Sequence, residues 1–260
     1  MNINFEKPFF IAEISCNHMN NYDILEKTAS AAFAAGASAV KLQTSTPDTL
    51  TRKFNSEEFY VREKGSPWDG VHLYDLYERT CTPLEWPLKL IRKYSDKEKV
   101  IFSTPFSPEM VDLLESKASP RLYKISAIDW NYVDLIKKCC ETGKPVLMSF
   151  VKPSVQLPKI KALGFSNIIP MLCISKYPAL SSHMNFSELE YLKTNEIFGF
   201  SDHSLNSSLS ALAIAHGATV IEKHFKLNNS IVSEDAHFSI DPQNFASQVK
   251  EFDEIYTAMN

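Results

Sequence analysis

No apolar run in this chain of 260 residues approaches the roughly 20 residues that a membrane span requires. The first stretch, Met1 to Lys7, carries Glu6 and no long apolar core, so no secretory signal is read there. The five cysteines, at 16, 81, 139, 140 and 173, include no C-x-x-C pair. An odd, scattered set of this kind predicts reduced thiols in a cytoplasmic protein, each acting as a small buried hydrophobe. A net charge of −4 gives no general reason to expect nucleic acid or an anionic membrane as partner. Like-charge blocks, low-complexity tracts and linkers are missing as well, so residues 1–260 are expected to form one domain. At 44% apolar and 22% charged residues, the composition is that of an ordinary globular protein.

The chain does have a regular alternation. Apolar, β-branched runs at 9–14, 39–43, 100–104, 122–126, 145–149, 168–173, 197–200 and 219–221 read as strands. Helical patterns separate them, at 23–35, 71–94 with a break near Pro83, from the Ser107 cap onward, 131–140, 188–193 and 205–216; a last one covers 242–259. Only a short helical piece, 159–163, is read after the fifth strand, and the segment 44–70 shows weak periodicity. Eight such units predict an α/β fold, a single (β/α)8 TIM barrel. A doubly wound open sheet is the alternative, but no Gly-rich dinucleotide turn follows the first strand.

Parallel barrel strands are buried on both faces, so ionisable residues on them are costly unless paired or functional. Here nearly every strand ends in polar groups: Glu13, Lys41 with Gln43, Ser103-Thr104, Lys124 with Asp129, Ser149, Tyr177, Ser201-Asp202-His203, and Glu222-Lys223-His224. In a barrel these ends converge on one mouth. Lysines with small hydroxyls suit a phosphate, and two histidines on adjacent strands suit a divalent ion such as Mn, Zn or Fe. Internal ion pairs Glu13–Lys41 and Asp129–Lys124 are the plainer alternative for those four groups. His18 reads equally as a loop cap or a ligand contact, His216 as a helix-end residue, and His72 and His183 as surface or packing residues.

Several segments, in order, resemble the sialic acid synthases, a family of phosphoenolpyruvate-dependent enzymes that make nine-carbon acidic sugars. They are Ile11-Ala12-Glu13-Ile14 with Asn17-His18, Lys41-Leu42-Gln43, Phe102-Ser103-Thr104-Pro105-Phe106, Tyr123-Lys124-Ile125-Ser126, Ser149, Tyr177-Pro178, Gly199-Phe200-Ser201-Asp202-His203-Ser204, and Ile221-Glu222-Lys223-His224-Phe225. The resemblance spans the barrel. It implies a divalent metal, most often Mn2+, on His203 and His224. It implies phosphate binding by Lys41, Thr104, Lys124, Ser149 and Ser201. Glu13, Asp129 and Asp235 match catalytic positions, and Gln43, Tyr177 and Asn17 match the acceptor side. The small-molecule substrates would be phosphoenolpyruvate and a sugar aldehyde, and the family's habit of dimerising makes a homodimer possible.

The sequence departs from the family pattern at several points. Ala127 stands where a serine is usual, Phe150-Val151 follow Ser149 in place of Thr-Gly, and Ser175-Lys176 precede the Tyr-Pro. The family's C-terminal antifreeze-like domain is not expected, because Asn260 follows directly on the last barrel helix. The segment 44–70 is expected to serve as a substitute lid. Two other readings stay open: a metal-dependent aldolase or lyase acting on a different acid, motivated by Ala127 and Phe150, and a non-catalytic binding protein.

Overall fold

β-branched, aromatic and other apolar residues concentrate in eight short segments, and each pairs with the next as a parallel strand until the last closes on the first. The computed structural model describes residues 3–62, 64, 68–95 and 99–259. In chain order the elements are β1 (Phe9–Glu13), α1 (Tyr22–Ala34), β2 (Ala39–Thr44), α2 (Pro47–Leu50), α3 (Leu73–Thr80), α4 (Glu85–Tyr94), β3 (Val100–Pro105) and α5 (Pro108–Lys117). They continue with β4 (Tyr123–Ile125), α6 (Val133–Glu141), β5 (Val146–Phe150), α7 (Pro153–Lys161), β6 (Ile168–Cys173) and α8 (Phe186–Leu192). The last are β7 (Gly199–Asp202), α9 (Ser208–Ala215), β8 (Val220–His224) and α10 (Pro242–Met259). The strands form the closed barrel that the alternation implies.

Local chemistry sets the helix starts. Asn21 caps α1 by accepting from the backbone of Asp23 and Ile24, and Pro108 opens α5 in the first turn, where its missing N–H costs nothing. The turns from α1 into β2 and from α9 into β8 each need left-handed backbone. Gly36 and Gly217 supply it, with φ of 96° and 100°. The helix after the fifth strand corrects an expectation. It runs Pro153–Lys161 and is of ordinary length, with Pro153 in its first turn and Pro158 inside it. Two prolines so close together hide a helix from a pattern-based reading, although the first of them is a favourable start.

Side chains along each strand alternate between the barrel interior and the helical shell. Toward the N-terminal ends the interior is apolar: Phe9, Ile11, Ala39, Phe102, Leu122, Leu147, Met171 and Val220 form one cluster. Each fully buried side chain of that size contributes about 1.5–3 kcal/mol, so the plug holds the lower barrel shut. Gly199 has no room for a side chain, since a Cβ there would lie 2.6 Å from the Val220 carbonyl oxygen. Two residues further along the same faces come Glu13, Lys41, Thr104, Lys124, Ser149, Cys173, Ser201 and Glu222, all buried. One step in the pleat therefore converts a hydrophobic floor into a polar site.

The opposite faces pack under the helices. Phe150 belongs there, fully buried with Val146 and Met148 against the shell. Asp202 and Lys223 also point outward, and they neutralise one another: Lys223 Nζ is 2.8 Å from Asp202 Oδ2, which also accepts from Ser210. β7 and β8 therefore continue through charged residues that had read as strand ends. None of the helices among the described residues is long and apolar enough to cross a membrane.

Candidate active site

A cavity of about 330 Å³ opens at the C-terminal ends of the strands. Of the residues singled out from the sequence, Glu13, Lys41, Gln43, Thr104, Lys124, Ser149, Tyr177, Ser201, His203, His224 and Asp235 line it. Asn17 and Asp129 do not. Asn17 is fully buried beside the site, where its amide donates to the Phe225 carbonyl and to Ser239 Oγ and accepts from Ser233. It ties down the loop after β8. Asp129 sits on the short turn after β4, where burial pushes its carboxyl up to about 6.

Two buried carboxylates and two buried ammonium groups make the floor. Lys41 Nζ lies 2.8 Å from Glu13 Oε2 and 3.8 Å from Glu222 Oε2, and Lys124 Nζ lies 3.3 Å from Glu222 Oε1. The anticipated Glu13–Lys41 pair is therefore present, whereas Lys124 pairs with Glu222 and not with Asp129. Ser201 Oγ donates to Glu222 at 2.9 Å, and Lys41 donates to Thr104 at 3.2 Å. In the sequence Glu222 stands among the polar strand ends. Period-two alternation from His224 would have put it on the inner face.

The environment of each charge follows from burial and its neighbours. Burial disfavours charge on Glu222, but Lys124 and Lys41 reverse this and hold its carboxyl at about 2. Glu13 has weaker support. Burial pushes it up to about 7 against the pull of Lys41, with Glu222 adding to the rise. Gln43 fixes its orientation, donating to Glu13 Oε1 at 3.2 Å and to Ser15 Oγ at 3.0 Å. Burial lowers Lys124, while Glu13 and Glu222 outweigh burial at Lys41 and raise it.

The histidine pair lies above this floor, with ring centroids 5.3 Å apart. His203 Nδ1 is 2.8 Å from the Ile174 carbonyl, which can only accept. The proton therefore sits on Nδ1 and leaves the Nε2 lone pair free. His224 Nδ1 is buried without a hydrogen-bond partner, 3.8 Å from Asp235 Oδ2. Asp235 in turn accepts from Ser15 Oγ. Burial drives His203 down to about 4 and His224 well below its ordinary value, so both rings are neutral. Neutral imidazoles, one oriented by a carbonyl and one with an orphaned nitrogen, fit a divalent ion. Among the described residues no three His, Cys, Asp or Glu side chains gather around one point, so water or substrate would complete the coordination. Ser149 Oγ and His224 Nδ1 are buried without a hydrogen-bond partner, which leaves them available to a ligand.

Two of the sequence departures have different structural meanings. Ala127 lines the cavity, so the missing hydroxyl is a real change in it. Phe150 faces the helical shell and takes no space from the cavity. His18 is structural: its Nε2 meets Thr82 Oγ1 at 2.8 Å and its Nδ1 accepts from the Asn20 backbone. His216 accepts its expected place as well, against the Leu212 carbonyl at the end of α9. The segment 44–70, whose residues 63 and 65–67 lie outside the described ones, reaches the mouth. Its Leu50, Val61 and Trp68 line the cavity.

The model of the NeuB family matches residues 28–260. Pseudaminic acid synthase from Campylobacter jejuni is 37% identical over 251 residues, covering 94% of this chain and 72% of the relative. N-acetylneuraminate-9-phosphate synthase from Homo sapiens is 26% identical, covering 93% of this chain and 68% of the relative. The crystal structure of N-acetylneuraminic acid synthetase from Leptospira borgpetersenii shares the fold with a TM-score of 0.82 at 23% identity, covering 98% of this chain and 86% of that one.

Proposed function

The chain belongs to the NeuB family, and from that premise we propose that it joins phosphoenolpyruvate to the aldehyde of a sugar, giving a sialic-acid-like 2-keto-3-deoxy acid and inorganic phosphate. The observation that carries this reading is the pairing of an anion floor with a neutral histidine pair. Lys41 and Lys124, with the unpartnered Ser149 hydroxyl, lie at the closed end of the same cavity whose wall holds His203 and His224.

The chemistry follows from these positions. Phosphoenolpyruvate places its phosphate among Lys41, Lys124, Thr104, Ser149 and Ser201, where ammonium charge and hydroxyl donors meet it. Its methylene carbon attacks the acceptor aldehyde. A divalent ion on His203 and His224, manganese in this reading, supplies Lewis-acid polarisation of the aldehyde oxygen when bound. Attack leaves the former enol carbon electron-poor, and water adds there. Glu13, oriented by Gln43 and set at about 7, takes the proton of that water. The lysines then stabilise phosphate as its bond to carbon breaks. Glu222 keeps both lysines charged and in place while the site is empty.

The test is phosphate release from phosphoenolpyruvate in the presence of manganese and a panel of acylamino hexoses and pentoses. Acceptor-dependent release supports the reading, and no release with any acceptor contradicts it. The aldolase reading loses half of its motivation, since Phe150 faces away from the cavity.

A further inference from the structure

The loop that follows β1 holds strained backbone. Ser15, Met19 and Asn20 all take the left-handed conformation, with φ of 49°, 50° and 53°, although none of them is glycine. That conformation is unfavourable for a residue with a Cβ and persists where the surroundings over-determine it. Such surroundings exist on both sides of the loop. Asn17 is tied to Phe225, Ser233 and Ser239 beyond β8, and His18 is tied to Thr82 between α3 and α4. Pinned at two points, the loop sets the Ser15 side chain in place.

Ser15 is buried and lines the cavity. Its hydroxyl has one hydrogen, which goes to Asp235 Oδ2. Only lone pairs are then left to face Gln43, whose Nε2 lies 3.0 Å from Ser15 Oγ. Gln43 must therefore turn its NH2 group to Ser15, and the second N–H of that group reaches Glu13 Oε1 at 3.2 Å. With Lys41 Nζ 2.8 Å from Glu13 Oε2, both oxygens of the carboxyl group are held. Turned over, the amide would set its carbonyl against two acceptors, Ser15 Oγ and Glu13 Oε1. The chain Asp235–Ser15–Gln43–Glu13 thus has a direction, from the loop after β8 to the end of β1. We propose that Ser15 is a positioning residue for the reaction: its hydroxyl, oriented by Asp235, fixes the Gln43 amide and through it the plane of the Glu13 carboxyl. The inference rests on the reading of Glu13 as the base. A base that must meet a water on one face of a carbon loses rate, and little affinity, when its carboxyl swings.

Three variants and one structure test it. Ser15→Gly removes the hydroxyl and relieves the positive φ, so it should keep the wild-type circular dichroism spectrum. Its kcat should fall about tenfold or more, with the KM for phosphoenolpyruvate within about twofold. Ser15→Ala, which lacks only the hydroxyl, should lose kcat to the same extent, and this separates the hydroxyl from the backbone. Ser15→Gly added to Gln43→Ala should cost no more than about a further twofold, because the hydroxyl acts through Gln43. A crystal structure of Ser15→Ala should show the Gln43 amide out of hydrogen-bonding distance of Glu13. Full kcat in either single variant, a loss confined to KM, losses that multiply in the double variant, or an unmoved Gln43–Glu13 contact overturns the proposal. Glu13→Gln measured beside them keeps the two ideas apart. Turnover retained by Glu13→Gln removes the reading of Glu13 as the base, whereas an inactive Glu13→Gln with full turnover in Ser15→Gly removes only the role of Ser15.

Discussion

Glu222 neutralises Lys124 and part of Lys41 in a place where water cannot. Removing it leaves buried positive charge uncompensated. Glu222→Ala should therefore destabilise the protein by about 3–5 kcal/mol, read as a lower urea midpoint. Glu13 makes a pH prediction with a definite sign. Raised from 4.5 to about 7, it retains a proton in the folded protein that the unfolded chain has already released. Its contribution to stability therefore falls as pH rises through that window. Activity moves the other way, because a base must first lose its proton. The kcat/KM for phosphoenolpyruvate should rise with an acidic limb near 7, and Glu13→Gln should abolish turnover. His18 behaves in the opposite sense on stability. Its burial lowers it from 6.5 to about 4, so stability is fully present above 6.5 and is lost as pH falls through 4.

The β5 strand sends Ser149 into the cavity and Phe150 under the helices, and the segment after β2 adds Leu50, Val61 and Trp68 to the cavity wall. Phe150 packs against the helices, so Phe150→Thr should cost about 3 kcal/mol of stability yet leave the KM for phosphoenolpyruvate within twofold. A larger change in that KM would mean that β5 turns its other face inward. The strands themselves were legible from apolar runs and turn glycines, as was the convergence of their polar ends. What escaped was anything that depends on which face a residue takes. Glu222 and Lys223 are neighbours in sequence, yet one enters the site and the other pairs with Asp202 beneath the helices. Asn17 is expected on the acceptor side from the resemblance alone; in the fold it lies outside the cavity lining and is bonded to the loop after β8. α7 was hidden by its prolines. Trp68 could not be placed, because its partners Glu234 and Phe238 lie at the far end of the chain.

At the scale of the whole molecule, barrel closure brings β1 against β8 and so puts Glu13 beside His224 in register. Glu13, the two lysines and the histidine pair share one cavity only because the sheet closes. Chelation of divalent ions should therefore abolish turnover, with manganese restoring it. His203→Ala and His224→Ala should each lose most manganese affinity, measured by calorimetry, with little change in fold by circular dichroism. The central claim is that carbon–carbon bond formation is followed by attack of water on carbon, so that the bond broken is carbon–oxygen. The direct measurement uses phosphoenolpyruvate labelled with oxygen-18 at the bridging position, with an acylamino hexose as acceptor, followed by mass spectrometry of the phosphate. The account expects the label in inorganic phosphate, released in step with the keto acid. Label retained in the sugar acid, or phosphate released without acceptor, would contradict it.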